Sequence, residues 1–253
     1  MVYWGIMESY ESGGKKEVLE QPIFKVTLMR HEEPFYKDIG HDLTEKGILG
    51  AIATGKRLKG AGHINDSDEI HLFHSPKARA RGTLEFVAEG AGISHGEKRS
   101  INQIRSSDIP DLECFLQRVE ELEHDQEAIA KDHHTNDALY ESSPDFIEPA
   151  SKKKQRLYRA FEYLIRSFEK RPPKNSNTPH VFAVSHFEIV THLIDDVFGI
   201  ENMGKYNSPA FGEAVTIEAY STGDSDKVRL KIGFNEHTKE VCFNRKTRSI
   251  EEL

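Results

Sequence analysis

An α/β fold, a three-layer sandwich whose mainly parallel sheet is flanked by helices, is predicted by three features of the sequence. Short apolar, β-branched runs alternate with stretches of helical period from residue 24 to residue 198. The strongest run, residues 181–184 (VFAV), is apolar at every position, as a strand covered on both faces must be. Beyond residue 214 the alternation stops and strand follows strand, which adds antiparallel edge strands.

Residues 1–22 carry Gly13-Gly14 and mix Trp4 and Tyr10 with charges, so they read as an irregular arm ahead of a single domain over 23–253. Residues 24–29 (FKVTLM) form the first strand, which ends at Arg30 and His31. Thr44 is a helix cap, and Ile48, Ile52 and Leu58 give one apolar face to a helix that stops at Gly60 and Gly62. The unit repeats as a strand at 70–73 and a helix at 78–88, with Ala80, Leu84 and Val87 in register. Residues 115–130 suit a charged amphipathic helix, and 132–151 are polar with two prolines, so about 105–151 is expected to be an inserted acidic cap. A helix over 153–168 ends before Pro172 and Pro173. After the strand at 181–184 come Ser185, His186 and a helix to 198, and then strands at 214–220, 228–234 and 240–243.

With 34 Lys plus Arg against 42 Asp plus Glu in 253 residues, the net charge is −8, which argues against a general nucleic-acid partner. The acidity is local. Between 108 and 148 stand 13 acidic residues against Arg118 and Lys131, a balance of −11 that leaves +3 for the rest. Two cysteines, Cys114 and Cys242, cannot build a multi-bridge framework, and the first 20 residues lack a basic start followed by an apolar run. The chain therefore reads as cytoplasmic. No stretch approaches the roughly 20 apolar residues of a membrane span, so no membrane partner is expected. The sequence fixes no oligomeric state.

Basic residues fall at strand ends: Arg30 and His31 after the first, Arg79 after the second, His186 after the strongest. In an open α/β sheet ligands bind outside the carboxyl ends of the strands, so these four can meet in space. Two guanidinium groups and two imidazoles make a compact anion site suited to phosphate, and an imidazole can attack phosphorus.

The segments around them resemble the histidine phosphatase superfamily, which includes the phosphoglycerate mutases. Leu28-Met29-Arg30-His31-Glu32-Glu33-Pro34 is similar to its Arg-His nucleophile motif. Asp42-Leu43-Thr44-Glu45-Lys46-Gly47, followed by Ala51, Gly55 and Leu58, is similar to its first helix, and 74–83 (HSPKARARGT) carries its Ser-Pro, Arg-Ala and Thr at matching intervals. Val184-Ser185-His186 resembles its second histidine motif.

The resemblance implies a phosphatase acting on a small phosphorylated substrate through phospho-His31, with Arg30, Arg79 and His186 stabilising the transferred group and no cofactor or metal. Phosphoglycerate mutase-like phosphotransfer and a non-catalytic phosphate-ligand or protein-binding module are the alternative readings. The family usually has Gly after the nucleophile; Glu32 stands there and is expected to bring a carboxylate near the phosphate pocket. Phe187 and Glu188, where a small residue is common, are expected to narrow or redirect the entrance. The interval that usually supplies the acidic proton donor has no Glu, which makes Asp108 the candidate, with Asp111, Glu113 and Glu33 behind it. His71-His74 and His133-His134 lack a complete metal ligand set. Cys114, with no activating neighbour, reads as a buried or inert thiol.

Overall fold

Phe24, Val26 and Leu28 face one layer and Met29 the other, and this period-two burial makes Phe24–Arg30 the first strand, β1. The computed structural model describes residues 21–37, 39–65, 68–94, 96–124, 128, 132, 147–170, 177–199 and 209–253. Most of the expected arm and much of the expected cap, His133 and His134 included, lie outside these residues. Thr44 caps α1 (Glu45–Gly60), its Oγ1 accepting from Gly47 N at 3.0 Å. β2 (Glu69–His74), α2 (Ala78–Gly90), β3 (Lys98–Ser100), a 3-10 turn at Asn102–Ile104 and α3 (Leu112–Glu121) follow. Then come α4 (Ala150–Glu169), β4 (Pro179–Ser185), α5 (Phe187–Phe198), β5 (Ala214–Ser221), β6 (Lys227–Phe234), β7 (His237–Asn244) and β8 (Ser249–Glu252).

The strands form one mixed sheet in the order β3-β2-β4-β1-β5-β6-β7-β8. Its first four strands are parallel and position the site; from β1 to β8 each neighbour runs antiparallel, as the tail of the sequence predicts. On one face α4 and α5 bury Leu157, Phe161, Ile165, Ile189 and Leu193 against Leu28, Val181 and Ile217. On the other, α1 and α2 bury Ala51, Leu58, Leu84 and Val87 against Met29, Leu72 and Phe182. β4 lies between both layers and is buried along its whole length, which is why its sequence lacks alternation.

The strand alternation misses β3 and β8, the two sheet edges, because KRS and SIEE carry almost no apolar signal. α3 stops at Glu121 rather than 130; Leu112 and Leu116 on it stay exposed and none of its residues is buried. Among the described residues no helix is long and apolar enough to cross a membrane.

Candidate active site

Three adjacent parallel strands end level with one another. Arg30 of β1 lies opposite Ser185 of β4, and His74 of β2 opposite Val184. The departing chain is tied to the neighbouring strand on each side, His31 N donating to Ser185 O at 3.0 Å and Ser75 N to Val184 O at 2.9 Å. Arg79 arrives from the first turn of α2, and His186 is the N-cap residue of α5. The fold thus builds a crevice at the carboxyl edge of the sheet from four short segments.

His31 is only 4% exposed. Its Nδ1 donates to the Glu32 carbonyl at 2.8 Å, which leaves the lone pair on Nε2, and Arg79 Nε donates toward that atom at 3.2 Å. The His186 ring stands edge-on to His31, 5.2 Å between centroids, with its Nε2 2.5 Å from the buried Ser75 Oγ. Arg30 donates through Nη1 to Pro209 O at 2.9 Å, and its guanidinium lies between Phe211, at 4.0 Å, and Phe187, at 5.0 Å. Arg30, His31, Arg79 and His186, four sequence-predicted residues, are therefore brought together.

A sequence model of the histidine phosphatase superfamily (branch 1) matches residues 26–230. The chain belongs to that superfamily. Solved structures with the same fold include a mycobacterial hydrolase, at TM-score 0.61 and 15% identity over 85% of this chain and 100% of that one. A mycobacterial glucosyl-3-phosphoglycerate phosphatase matches at TM-score 0.58 and 15% identity over 83% and 97%. A phosphoglycerate mutase from Bacillus anthracis matches at TM-score 0.54 and 15% identity over 78% and 88%. No curated protein matches the chain by sequence.

For a histidine phosphatase the protonation of the two imidazoles decides what the site can do. Burial holds His31 well below the usual histidine value, and the charge His186 takes up when protonated, with the guanidinium groups of Arg79 and Arg30, adds to the effect. Burial, with help from Arg79, Lys77 and Arg156, lowers His186 to about 4. Both rings are neutral at pH 7, so His31 Nε2 carries an unprotonated lone pair that accepts from Arg79 Nε. Burial also lowers Arg30, against the opposing pull of Tyr36, Glu188, Glu213 and Glu32.

Glu32 brings its carboxyl within electrostatic reach of Arg30. Its carboxyl is buried against Gly50 and Gly212, accepts from Thr54 Oγ1 at 3.4 Å, and is pushed up from the usual glutamate value by that burial. Glu188 accepts from Ser107 N at 2.6 Å and Ser107 Oγ at 3.2 Å and is likewise within electrostatic reach of Arg30. Its burial alone would raise it, but His186 once protonated in acid, backbone N–H donors and Lys153 outweigh that and hold it at about 2. Phe187 does stand at the site, as a ring against Arg30.

Asp108 is placed apart from the other four. Its carboxylate pairs with Arg105, its side chain is 59% exposed, and its backbone is tied to Glu148 through Glu148 N to Asp108 O at 2.8 Å. Cys114 is exposed in the first turn of α3, with the Asp111 side chain raising its thiol and keeping it a poor nucleophile. Among the described residues no group of three His, Cys, Asp or Glu side chains is arranged to hold a metal.

Four contributors were not assigned from sequence. Ser75 orients His186. Asp42 is fully buried, with Oδ1 accepting from Lys37 N at 2.7 Å and an otherwise unbonded Oδ2 that lies 3.9 Å from Arg79 Nη1. Phe211 and Tyr36 place rings on Arg30 and Arg79. Ser75 and Asp42 do stand inside the family-like segments, whereas nothing in the sequence marks Phe211 or Tyr36.

Proposed function

We propose that the chain is a cytoplasmic, metal-independent phosphatase that hydrolyses a small phosphomonoester through a phosphohistidine on His31. The observation that carries this reading is the pair of bonds on the His31 ring, Nδ1–H to Glu32 O and Arg79 Nε–H to Nε2, which aims a neutral nucleophile at a cationic crevice. In the first step Nε2 bonds to phosphorus in line as the ester P–O bond breaks, and the leaving oxygen takes a proton from Asp108. Asp108 must turn from Arg105 to do so, and its exposed side chain has the room. Arg30, Arg79 and His186 hold the equatorial oxygens, whose spread charge they offset without a metal. Water then attacks phosphorus, the Asp108 carboxylate takes the water's proton, and the P–N electron pair returns to His31. Free thiols at Cys114 and Cys242 suit a reducing compartment.

A mutase needs extra cations to retain a diphosphorylated intermediate. Arg156 is already committed to Glu148 and to three backbone carbonyls, and Arg105 stays paired with Glu148 when Asp108 turns away, which favours the phosphatase over that alternative.

Rapid quenching of the protein with a radiolabelled phosphomonoester tests the mechanism. Label that is lost in acid, survives base and disappears in His31→Ala is the expected outcome; label on another residue overturns it. In the same assay Asp108→Asn should slow an alkyl phosphate by about 100-fold to 10,000-fold and scarcely affect p-nitrophenyl phosphate, whose leaving group needs no proton. Equal losses on both substrates would remove Asp108 as donor.

A further inference from the structure

We propose that the alcohol half of the substrate is an aromatic ring carried on the ester oxygen, making the substrate class an aryl phosphate. This rests on the phosphatase reading above and deepens it. Three rings stand against the groups assigned to the phosphate. Phe211 lies 4.0 Å from Arg30 and 5.8 Å from the His31 ring, Phe187 lies 5.0 Å from Arg30, and Tyr36 lies 5.5 Å from Arg79. Tyr36 is also within electrostatic reach of Arg30.

Two of these rings keep an open face. Tyr36 is 66% exposed and Phe211 36%, a large apolar area to leave in water beside a polar crevice. Neither is a loose side chain on a loose loop. Tyr36 is held at φ +59°, a conformation a bulky residue adopts only when its surroundings impose it. Its loop is closed by the Pro34–Leu43 bridge, by Phe35 N donating to Asp42 O at 3.2 Å and by Lys37 N donating to Asp42 Oδ1. Phe211 sits in a turn fixed on both sides, by Arg30 Nη1 to Pro209 O and by Arg30 N to Glu213 O at 3.0 Å.

In-line displacement sets the direction of the leaving group. With Nε2 of His31 on one side of phosphorus, the ester oxygen leaves on the opposite side, and the exposed rings of Tyr36 and Phe211 are apolar surfaces beside the crevice for the group it carries. A flat ring there gains offset or edge contacts with both, whereas the hydroxyls of a sugar phosphate would lose water to apolar faces that return no hydrogen bond. A second anionic group on the substrate finds Arg105 and Arg156 already paired with Glu148. The rings thus select by shape and polarity what the cations cannot.

Phosphonates test this without turnover, because their P–C bond is not cleaved. Calorimetric titration of the full chain should give phenylphosphonate a Kd about tenfold lower than methylphosphonate, the size expected of ring–ring contact. Tyr36→Ala and Phe211→Ala should weaken phenylphosphonate more than methylphosphonate and bring the ratio toward one. Equal affinities in the unmodified chain, or equal losses for both ligands in both variants, would overturn the inference, since the rings would then serve only to hold the arginines. Loss of both phosphonates' binding in the unmodified chain would instead take down the phosphate-pocket reading on which this one rests.

Discussion

His31 and His186 are kept neutral by being buried among cations, and the same burial makes them a liability in acid. With His186 at about 4 in the folded chain and near 6.5 when unfolded, the unfolded state holds the extra proton across that window. Stability then rises with pH between 4 and 6.5, so the contribution is complete above 6.5 and lost as pH falls toward 4. His31, also lowered, acts in the same direction. Urea unfolding at pH 7 and pH 4.5 should show a loss of about 2 kcal/mol attributable to His186, and His186→Gln should remove most of that slope. An unchanged slope in the variant would mean that the ring is not buried neutral. The same neutrality should let kcat/KM persist well below pH 6.5. Residues of this kind were legible in the sequence, since Arg30, His31, Arg79 and His186 each follow a strand in a recognisable segment. Phe211 and Tyr36 were not, because a ring in a turn is indistinguishable from an exposed apolar residue until the turn is seen against Arg30 and Arg79.

Elements with a strong period were readable and elements defined by their neighbours were not. α1 and α2 announce themselves through Thr44 and through Ala80, Leu84 and Val87, and β4 through its unbroken apolar run. α4 begins at Ala150 behind Pro149 with no side-chain cap bond, and α5 begins at Phe187 on a His186 that makes none, so both starts carry a weaker signal than Thr44 gives. The turn at 209–213 is the element that matters most to the site and the one with least sequence signature. Gly212 there has φ +74°, and an added Cβ would stand 2.0 Å from Glu32 Oε1. Glu32, at a position where the superfamily commonly has Gly, is thus accommodated by the absence of a side chain at Gly212. Gly212→Ala should cost about 1–2 kcal/mol from the left-handed backbone alone, with the clash added, and should raise KM by displacing Phe211 and Pro209 O from Arg30. The double variant Glu32→Gly with Gly212→Ala removes the clash and should restore KM while keeping the backbone cost. If KM stays high in the double variant, the turn does not act through Glu32.

At the scale of the whole molecule the charge is divided between a +3 body and a −11 segment over 108–148. That division is plain from counting residues, while the side of the body on which the segment sits is not, since it depends on tertiary bonds. Ser107 N and Oγ bond Glu188, in the first turn of α5 two residues from His186, and Glu148 bonds Asp108. The root of the acidic segment is therefore fastened beside the crevice, and Asp111, Glu113, Glu120, Glu121 and Glu123 are exposed on and around α3 beyond it. A monophosphate entering a guanidinium-lined crevice gains more from Arg30 and Arg79 at close range than it loses to this diffuse field. A substrate with a second phosphate carries its extra charge outward into the field, where Arg105 and Arg156 are paired with Glu148. The repulsion acts over distances comparable with the Debye length, about 30 Å at 0.01 M salt and about 8 Å at 0.15 M. The ratio of kcat/KM for a bisphosphate to that for a matched monophosphate should therefore be below one and should rise several-fold from 0.01 M to 0.15 M salt. Replacing Glu113, Glu120 and Glu121 by Gln should raise the low-salt ratio and flatten its salt dependence. A ratio above one, or one indifferent to both salt and these substitutions, would place the acidic field away from the substrate's path and leave the exclusion of polyanions to the rings at the mouth alone.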